Sequence, residues 1–184
     1  GIVDMRIIGE GGKYTSSYVD WQGNRQEYGY ILNSERTKIV YVPRGFTPVY
    51  ADGTGHVYEG VFRAPSGVTE IGEKAFEYNS HINELIVPAW VTEIGVNAFK
   101  YCRNLNKVTF EGKSTSESLA VREGAFYGCT QIKEITLPEN LFTLEKNAFG
   151  GTNNLKEVTV ESFSTDPNKP LAFENDVFAT VNSR

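Results

Sequence analysis

The residues of this chain that could do chemistry are few and widely spaced. His56 and His81 are the only histidines, and neither stands in a metal-ligand spacing such as His-x-x-x-His or beside a cysteine pair. The Gly-x-Ser-x-Gly pattern of hydrolases and a complete phosphate-binding loop are also missing from the sequence. We therefore expect a chain that is not an enzyme and that has no catalytic residue, no metal site and no cofactor.

Two further pairs deserve a chemical interpretation because their members occupy equivalent places in a repeat. Glu70 and Glu93 would lie one above the other, which is an arrangement for acid–base work but is more often a solvated surface. Cys102 and Cys129 each follow a repeat phenylalanine by three residues. A spacing of about 4.8 Å between neighbouring strands would allow a disulfide, although we favour two small buried thiols.

The repeat itself is the strongest pattern in the sequence. Ile-Gly-Glu-Lys-Ala-Phe at 71–76 returns 23 residues later as Ile-Gly-Val-Asn-Ala-Phe at 94–99, with looser copies at 121–126, 144–149 and 173–178. A fixed period of this length is typical of a solenoid, in which each unit buries its apolar face against the next. We predict about five stacked coils of about 23 residues.

Each predicted coil has three parts. The first is a short strand with alternating apolar residues, such as Leu85 and Val87, and the second is a short strand around Val-Thr-Glu-Ile-Gly. The third is one or two turns of α- or 3₁₀-helix at 73–76, 96–99, 123–126 and 146–149. The phenylalanines that follow the repeat alanine or its replacement should form one internal column: Phe76, Phe99, Phe126, Phe149 and Phe178.

The repeat, written Leu-x-x-Ile-x-Ile-Pro-x-x-Val-Thr-x-Ile-Gly-x-x-Ala-Phe-x-x-Cys, resembles the BspA-like (treponemal-type) leucine-rich repeats from residue 59 to residue 178. The resemblance implies an α/β, β-rich, right-handed leucine-rich-repeat solenoid. Members of that family are mainly secreted or surface proteins of bacteria and some parasitic protists, and several are implicated in adhesion. The resemblance therefore implies an extracellular or cell-surface protein that binds partners.

Residues 1–57 do not follow the period, and we expect them to form a β cap packed on a solenoid at 58–184, within a single structural domain. Two β-runs between 28 and 42, joined by a polar turn at 33–38, predict a hairpin. Six of the ten tyrosines lie within residues 1–57. They favour cap strands over the first coil, although an aromatic surface for glycan stacking is the sharper alternative.

The bulk composition narrows the classes of partner. The net charge is −5 with both signs interspersed, which does not favour nucleic acid or an anionic membrane surface. No stretch approaches the roughly 20 apolar residues that cross a bilayer. The first residues do not resemble the start of a nascent chain, so we expect a mature product from which a signal peptide has been removed.

Two surface rows are the candidates for binding. The position after the repeat valine is polar at Thr69 and Thr92 and then becomes apolar, with a tryptophan nearby; the row comprises Trp90, Leu119, Phe142 and Leu171. If it is exposed, such an apolar patch usually marks an interaction site. We favour the alternative, in which the inserted segments at 111–117 and 162–169 fold over these residues and make them a satellite core. The secondary candidates lie on the concave sheet face: Thr109, Thr136, Thr159, Lys107 and Glu134.

These expectations combine into a function. We predict an extracytoplasmic module that binds a protein or glycan ligand at the cell surface, for example as an adhesin for host matrix. The alternative is a structural or assembly module of a cell-surface complex, which associates through the apolar row or, weakly with itself, through the C-terminal coil.

Overall fold

The computed structural model describes residues 3–7, 14–19, 25–112, 117–161 and 172–179. Over these ranges the chain forms sixteen β-strands and no helix. The strands are β1 (Val3–Ile7), β2 (Tyr14–Val19), β3 (Arg25–Leu32), β4 (Lys38–Tyr41), β5 (Val49–Ala51), β6 (Val57–Glu59), β7 (Val61–Arg63), β8 (Glu70–Ile71), β9 (Glu84–Pro88), β10 (Glu93–Ile94), β11 (Lys107–Glu111), β12 (Leu119–Val121), β13 (Glu134–Leu137), β14 (Leu141–Leu144), β15 (Glu157–Val160) and β16 (Ala172–Phe173).

The longest sheet contains nine strands, in the order β1-β2-β3-β4-β8-β10-β12-β14-β16. Its first four strands are antiparallel, and β3 and β4 form the hairpin expected from the sequence. The side chain of Asn33 closes that turn by accepting hydrogen bonds from the N–H groups of Thr37 and Lys38, both at 2.9 Å. From β4 onward the strands are parallel, and Ile39 of β4 is in register with Ile71 of β8.

Strand β4 therefore stands in the same ladder as the repeat strands. The first strand of each coil belongs to another set of strands: β7, β9, β11, β13 and β15. The chain alternates between the two sets and so forms a β-solenoid of about four turns, whereas about five coils were predicted. The division into a cap at 1–57 and a solenoid at 58–184 stays a prediction.

The predicted helical turn in each coil is wrong. Residues 73–78 and their equivalents form consecutive hydrogen-bonded turns, in which alternate N–H groups point to the next coil. Lys74 donates to the carbonyl of Val96 at 2.9 Å, and Phe76 donates to that of Ala98 at 2.7 Å. A helix requires those N–H groups for its own carbonyls four residues earlier. The positive φ of Lys74, 54°, also interrupts any helix.

The column of phenylalanines forms the centre of the solenoid. Ring centroids are 4.8 Å apart for Phe76 and Phe99, 5.3 Å for Phe99 and Phe126, and 5.0 Å for Phe126 and Phe149. These four rings are fully buried, and so are the alanines that precede them. The last ring, Phe178, stacks on Phe149 at 5.7 Å but is 38% exposed.

The residue three positions after each of the four fully buried phenylalanines fills a buried polar notch; these residues are Asn79, Cys102, Cys129 and Thr152. Asn79 donates to the carbonyls of Pro43 and Phe46, both at 2.9 Å, and so joins the segment after β4 to the first full coil. In the next two coils the thiols of Cys102 and Cys129 donate to the carbonyls of Phe76 and Phe99, at 3.0 and 3.1 Å. The notch gives each coil a side chain that satisfies a buried backbone group.

Both cysteines are free and buried, which agrees with the interpretation favoured from the sequence. Burial raises the pKa of Cys102 to about 12. Burial also raises the pKa of Cys129 well above its ordinary value. Both thiols therefore stay protonated and unreactive in the folded protein at neutral pH, because the thiolate is the nucleophile.

Replacing a ring in the middle of the column tests the shared core. Phe99→Ala should lower the free energy of unfolding by about 3–5 kcal/mol, the usual cost of removing a buried phenylalanine. Phe178→Ala is the matched control and should cost much less, because that ring is 38% exposed. Urea denaturation measures both values, and equal losses would contradict a common internal column.

The buried thiols should make the free energy of unfolding decrease as the pH rises through the alkaline range. Between the ordinary thiol pKa of 9.0 and about 12, the unfolded Cys102 loses its proton while the folded one keeps it. The unfolded state then binds fewer protons, so stability falls by up to about 1.4 kcal/mol per pH unit for each thiol. Urea denaturation from pH 8 to 11 should show that the free energy of unfolding falls more steeply in the wild-type protein than in the Cys102→Ala/Cys129→Ala variant.

Thiol labelling provides the control for this experiment. At pH 8 the native protein should not react with a disulfide reagent, and both thiols should react in urea. Ser80→Cys places a thiol at an exposed position of the same turn and should react at once. Rapid labelling of the native wild-type protein would contradict the burial of both cysteines.

Candidate functional site

The histidines lie apart from any chemical cluster. His56 is exposed between β5 and β6 and stacks on Tyr58 with a centroid distance of 6.1 Å, and His81 is exposed in the turn before β9. Among the residues that the structure describes, there is no group of three or more His, Cys, Asp or Glu residues that could hold a metal ion.

The aligned glutamates form ion pairs across the long sheet. Glu70 and Glu93 are in register on β8 and β10. Glu70 forms an ion pair with Lys38, while Arg122 pairs with Glu93 at 2.7 Å and with Glu145 at 2.8 Å. The hydrogen bond that Arg122 donates to Glu93 contributes most to raising the pKa of Arg122 above its ordinary value, and the hydrogen bond to Glu145 contributes next. The carboxylates therefore link neighbouring coils through cations.

The predicted apolar row does not form one exposed surface. Phe142 is 37% exposed, whereas Leu119 is only 2% exposed. The reason is a register shift: Leu119 pairs with Leu141, while Ala120 pairs with Thr143. We number the coils by their phenylalanines, from Phe76 in the first to Phe149 in the fourth. The third coil is one residue shorter than the fourth at this point, so Leu119 takes the place of the buried repeat valine. Phe142 occupies the position of the fourth coil that has no partner in the third. Leu171 lies outside the described residues.

Trp90, the fourth member of that row, is half-buried and makes contacts within the solenoid. Its indole Nε1–H donates to the carbonyl of Pro65 at 3.2 Å. The guanidinium of Arg63 lies 4.9 Å from the ring centroid and forms an ion pair with Glu111 at 2.6 Å. Trp90 therefore helps to join the first coils, and only part of its surface faces solvent.

The secondary candidates on the first-strand sheet are divided between two ladders. In the described chain this sheet runs β7-β9-β11 and a separate pair is formed by β13 and β15. Thr136 and Thr159 are exposed and in register, whereas Thr109 is half-buried and pairs with Ile86. Lys107 is exposed and bound to Glu84 at 2.8 Å, and Glu134 is exposed. The row is polar, with one cation already paired.

A different surface, which the sequence reasoning did not find, combines aromatic rings with cations. We call it the tyrosine face; it comprises Tyr78, Tyr101 and Tyr127 with Arg44, Lys100 and Arg103. Tyr78 and Tyr101 stack at 5.1 Å, and Tyr101 meets Tyr127 edge-on at 5.7 Å. Tyr78 is 43% exposed and the other two rings are half-buried. Three successive coils therefore build one aromatic surface.

Cations lie against these rings. The guanidinium carbon of Arg44 is 4.7 Å from the centroid of Tyr78, and that of Arg103 is 5.7 Å from Tyr101. Lys100 Nζ is 5.6 Å from the centroids of both Tyr101 and Tyr127. Glu77 occupies the place of Lys100 in the preceding coil.

The backbone at this face is unusual. Tyr78 and Tyr101 have positive φ values of 62° and 57°, a region that tyrosine rarely adopts. The next two coils have Gly128 and Gly151 at the equivalent position, with φ values of 71° and 67°. The signal in the sequence was a tyrosine two residues after the repeat phenylalanine in two successive copies.

Within the ranges described above, the structure contains no helix that could span a bilayer. None of the curated proteins matches the sequence significantly.

Comparison with solved structures finds leucine-rich repeat proteins from bacteria. A leucine-rich repeat protein from Eubacterium ventriosum is 17% identical with a TM-score of 0.51, over 85% of this chain and 51% of its own. A leucine rich cell surface protein from Faecalibacterium prausnitzii is 17% identical with a TM-score of 0.48, over 85% and 40%. A leucine-rich repeat protein from Bacteroides capillosus is 25% identical with a TM-score of 0.42, over 86% and 99%.

The chain thus spans about half of the Eubacterium protein and two fifths of the Faecalibacterium protein. The first of these similarities shows the fold. The sequence profile of the BspA type leucine rich repeat region matches residues 61–179 with six copies. This chain therefore belongs to the BspA-type leucine-rich-repeat family.

Proposed function

We propose that this chain is a non-enzymatic module that binds a protein or glycan partner outside the cytoplasm, for example as an adhesin for host matrix or cell-surface ligands. The observation that carries the proposal is the tyrosine face, where three rings and three cations lie on successive coils. Tyrosine and arginine are enriched at binding interfaces. A stack of coils held by backbone hydrogen bonds provides a rigid platform for such a surface.

Membership of the BspA-type family supports the extracytoplasmic location, as the resemblance of the repeats implies. It also favours recognition over catalysis. Phe142 and Trp90, which were primary candidates in the sequence analysis, become secondary candidates for ligand contact. They join the candidates of the concave sheet face: Thr109, Thr136, Thr159, Lys107 and Glu134. Leu119 is not among them, because its side chain is buried.

The alternative is a structural or assembly module. The observation that favours it is the apolar surface on the last described coil, where Val158 is 41%, Phe173 45% and Phe178 38% exposed. Exposed apolar surface of this kind can pack against another copy or another subunit. The two functions differ in their partners, since an adhesin binds foreign ligands as a monomer.

Binding of the purified chain to immobilised fibronectin, fibrinogen, collagen, mucin and a set of glycans tests the proposed function. We expect saturable binding to at least one of these ligands. Phe142→Asp should retain that binding, because the tyrosine face lies on other positions of the repeat. Silence across the whole panel would overturn the adhesin function.

The behaviour of Phe142→Asp also decides between the two surfaces. Loss of binding with an unchanged melting temperature would place the ligand on the row around Phe142. The matched control is Thr143→Asp, which adds the same charge at the next residue, where the side chain is half-buried.

Light scattering over a hundredfold range of concentration tests the assembly function. The proposed binding module should keep the mass of a monomer throughout. A mass that rises with concentration, and that returns to the monomer value in Phe178→Lys, would favour the assembly module instead. Phe142→Lys serves as the control for adding a cation at an exposed ring.

A further inference from the structure

The tyrosine face keeps rings that the fold itself does not require. At the position of Tyr78 and Tyr101, the third and fourth coils have Gly128 and Gly151, which adopt the same positive φ without steric cost. A tyrosine in this conformation is unfavourable, and such backbone outliers concentrate at functional sites. The two tyrosines therefore contribute something that a glycine in the same coil geometry would not.

The rings are held in place before any partner arrives. A Cβ atom added at Gly128 would lie 2.4 Å from Cδ1 of Tyr101, and one added at Gly150 would lie 2.8 Å from Cδ2 of Tyr127. Each ring thus lies directly on the glycine of the following coil. Side chains that are already ordered lose little conformational entropy on binding, which favours affinity.

The arrangement of the rings argues for the kind of partner. The faces of Tyr78 and Tyr101 stack on each other with an interplanar angle of 29°, and Arg44 lies over the ring of Tyr78. A sugar ring needs a free aromatic face for stacking, and these faces are already occupied. The contacts left for a ligand are ring edges, phenol groups and cations, which suit the carboxylates and backbone carbonyls of a protein.

The charge of the face is opposite to that of the whole chain. Arg44 and Arg103 are exposed and Lys100 is half-buried, and all three lie against the rings, while the net charge of the chain is −5. A local positive patch attracts a complementary negative surface.

We propose that the tyrosine face is the docking surface for an acidic segment of a protein partner, with the rings as anchors and the three cations as partners for its carboxylates. This inference rests on the proposed binding function and names the class of ligand and the surface that takes it.

The test uses three probes of defined chemistry, measured by biolayer interferometry at 50 and 300 mM NaCl. The probes are poly-L-glutamate as an acidic polypeptide, heparin as an anionic glycan and cellohexaose as a neutral glycan. We expect poly-L-glutamate to bind more tightly than heparin, and cellohexaose not to bind. Lys100→Glu/Arg103→Glu should weaken the binding of poly-L-glutamate by about tenfold or more and reduce its salt dependence.

Two further variants separate rings from charges and from folding. Tyr101→Asn removes the ring at a positive φ that asparagine tolerates, so its melting temperature should change little while binding weakens severalfold. Lys133→Glu/Lys156→Glu changes the charge by the same amount at two exposed lysines outside the face and should bind like the wild type.

The outcomes distinguish this inference from the proposed function. Tighter binding of heparin, lost in Lys100→Glu/Arg103→Glu, would assign the face to anionic glycans and overturn the protein partner. Two outcomes would overturn the inference alone. In the first, a matrix protein of the panel binds equally well to Lys100→Glu/Arg103→Glu and to Tyr101→Asn. In the second, a matrix protein of the panel binds but poly-L-glutamate does not. If none of the three probes and no ligand of the panel binds, both this inference and the proposed function are overturned.

Discussion

The structure depends on one constraint, the backbone hydrogen bonds that run sideways from each coil to the next. The N–H groups of Phe76, Phe99 and Phe126 donate to the alanine carbonyl of the following coil, each at 2.7 Å. These bonds repeat at the positive-φ turns and set the distance between coils. Because that distance is close to the preferred spacing of aromatic rings, the phenylalanines can stack in one continuous core.

The same spacing explains the candidate binding surface. Any side chain at a fixed offset from the phenylalanine is repeated on the outside of the solenoid at the coil distance. Tyr78 and Tyr101 therefore stack on the surface at 5.1 Å as Phe76 and Phe99 stack inside at 4.8 Å. A regular core thus produces a regular and rigid exterior, on which a few substitutions in the repeat define a local patch of aromatic rings and charge.

Departures from the exact repeat decide where such a patch can exist. The coil of Leu119 is one residue shorter between Leu119 and Ala120, and Leu119 is therefore buried in the core. As a result, Phe142 has no exposed apolar neighbour at the equivalent place of the preceding coil. Conversely, glycine in place of tyrosine at 128 and 151 ends the tyrosine face after the coil that contains Phe126. Gly128 and Gly150 leave room for the rings of Tyr101 and Tyr127. The surface is therefore specified coil by coil, although the core is uniform.

The sequence by itself determined the period, the column of phenylalanines, the buried notch and the hairpin before the first coil, because periodic burial leaves a direct trace in residue type. It did not reveal that the turns are not helical, since the lateral hydrogen bonds form between residues more than twenty positions apart. It left open whether Leu119 is exposed or covered, because a shift of one residue in register exchanges an exposed position for a buried one. The tyrosine face was decided only by the tertiary structure, since Arg44 and Tyr78 come from different parts of the chain and meet only when the coils stack.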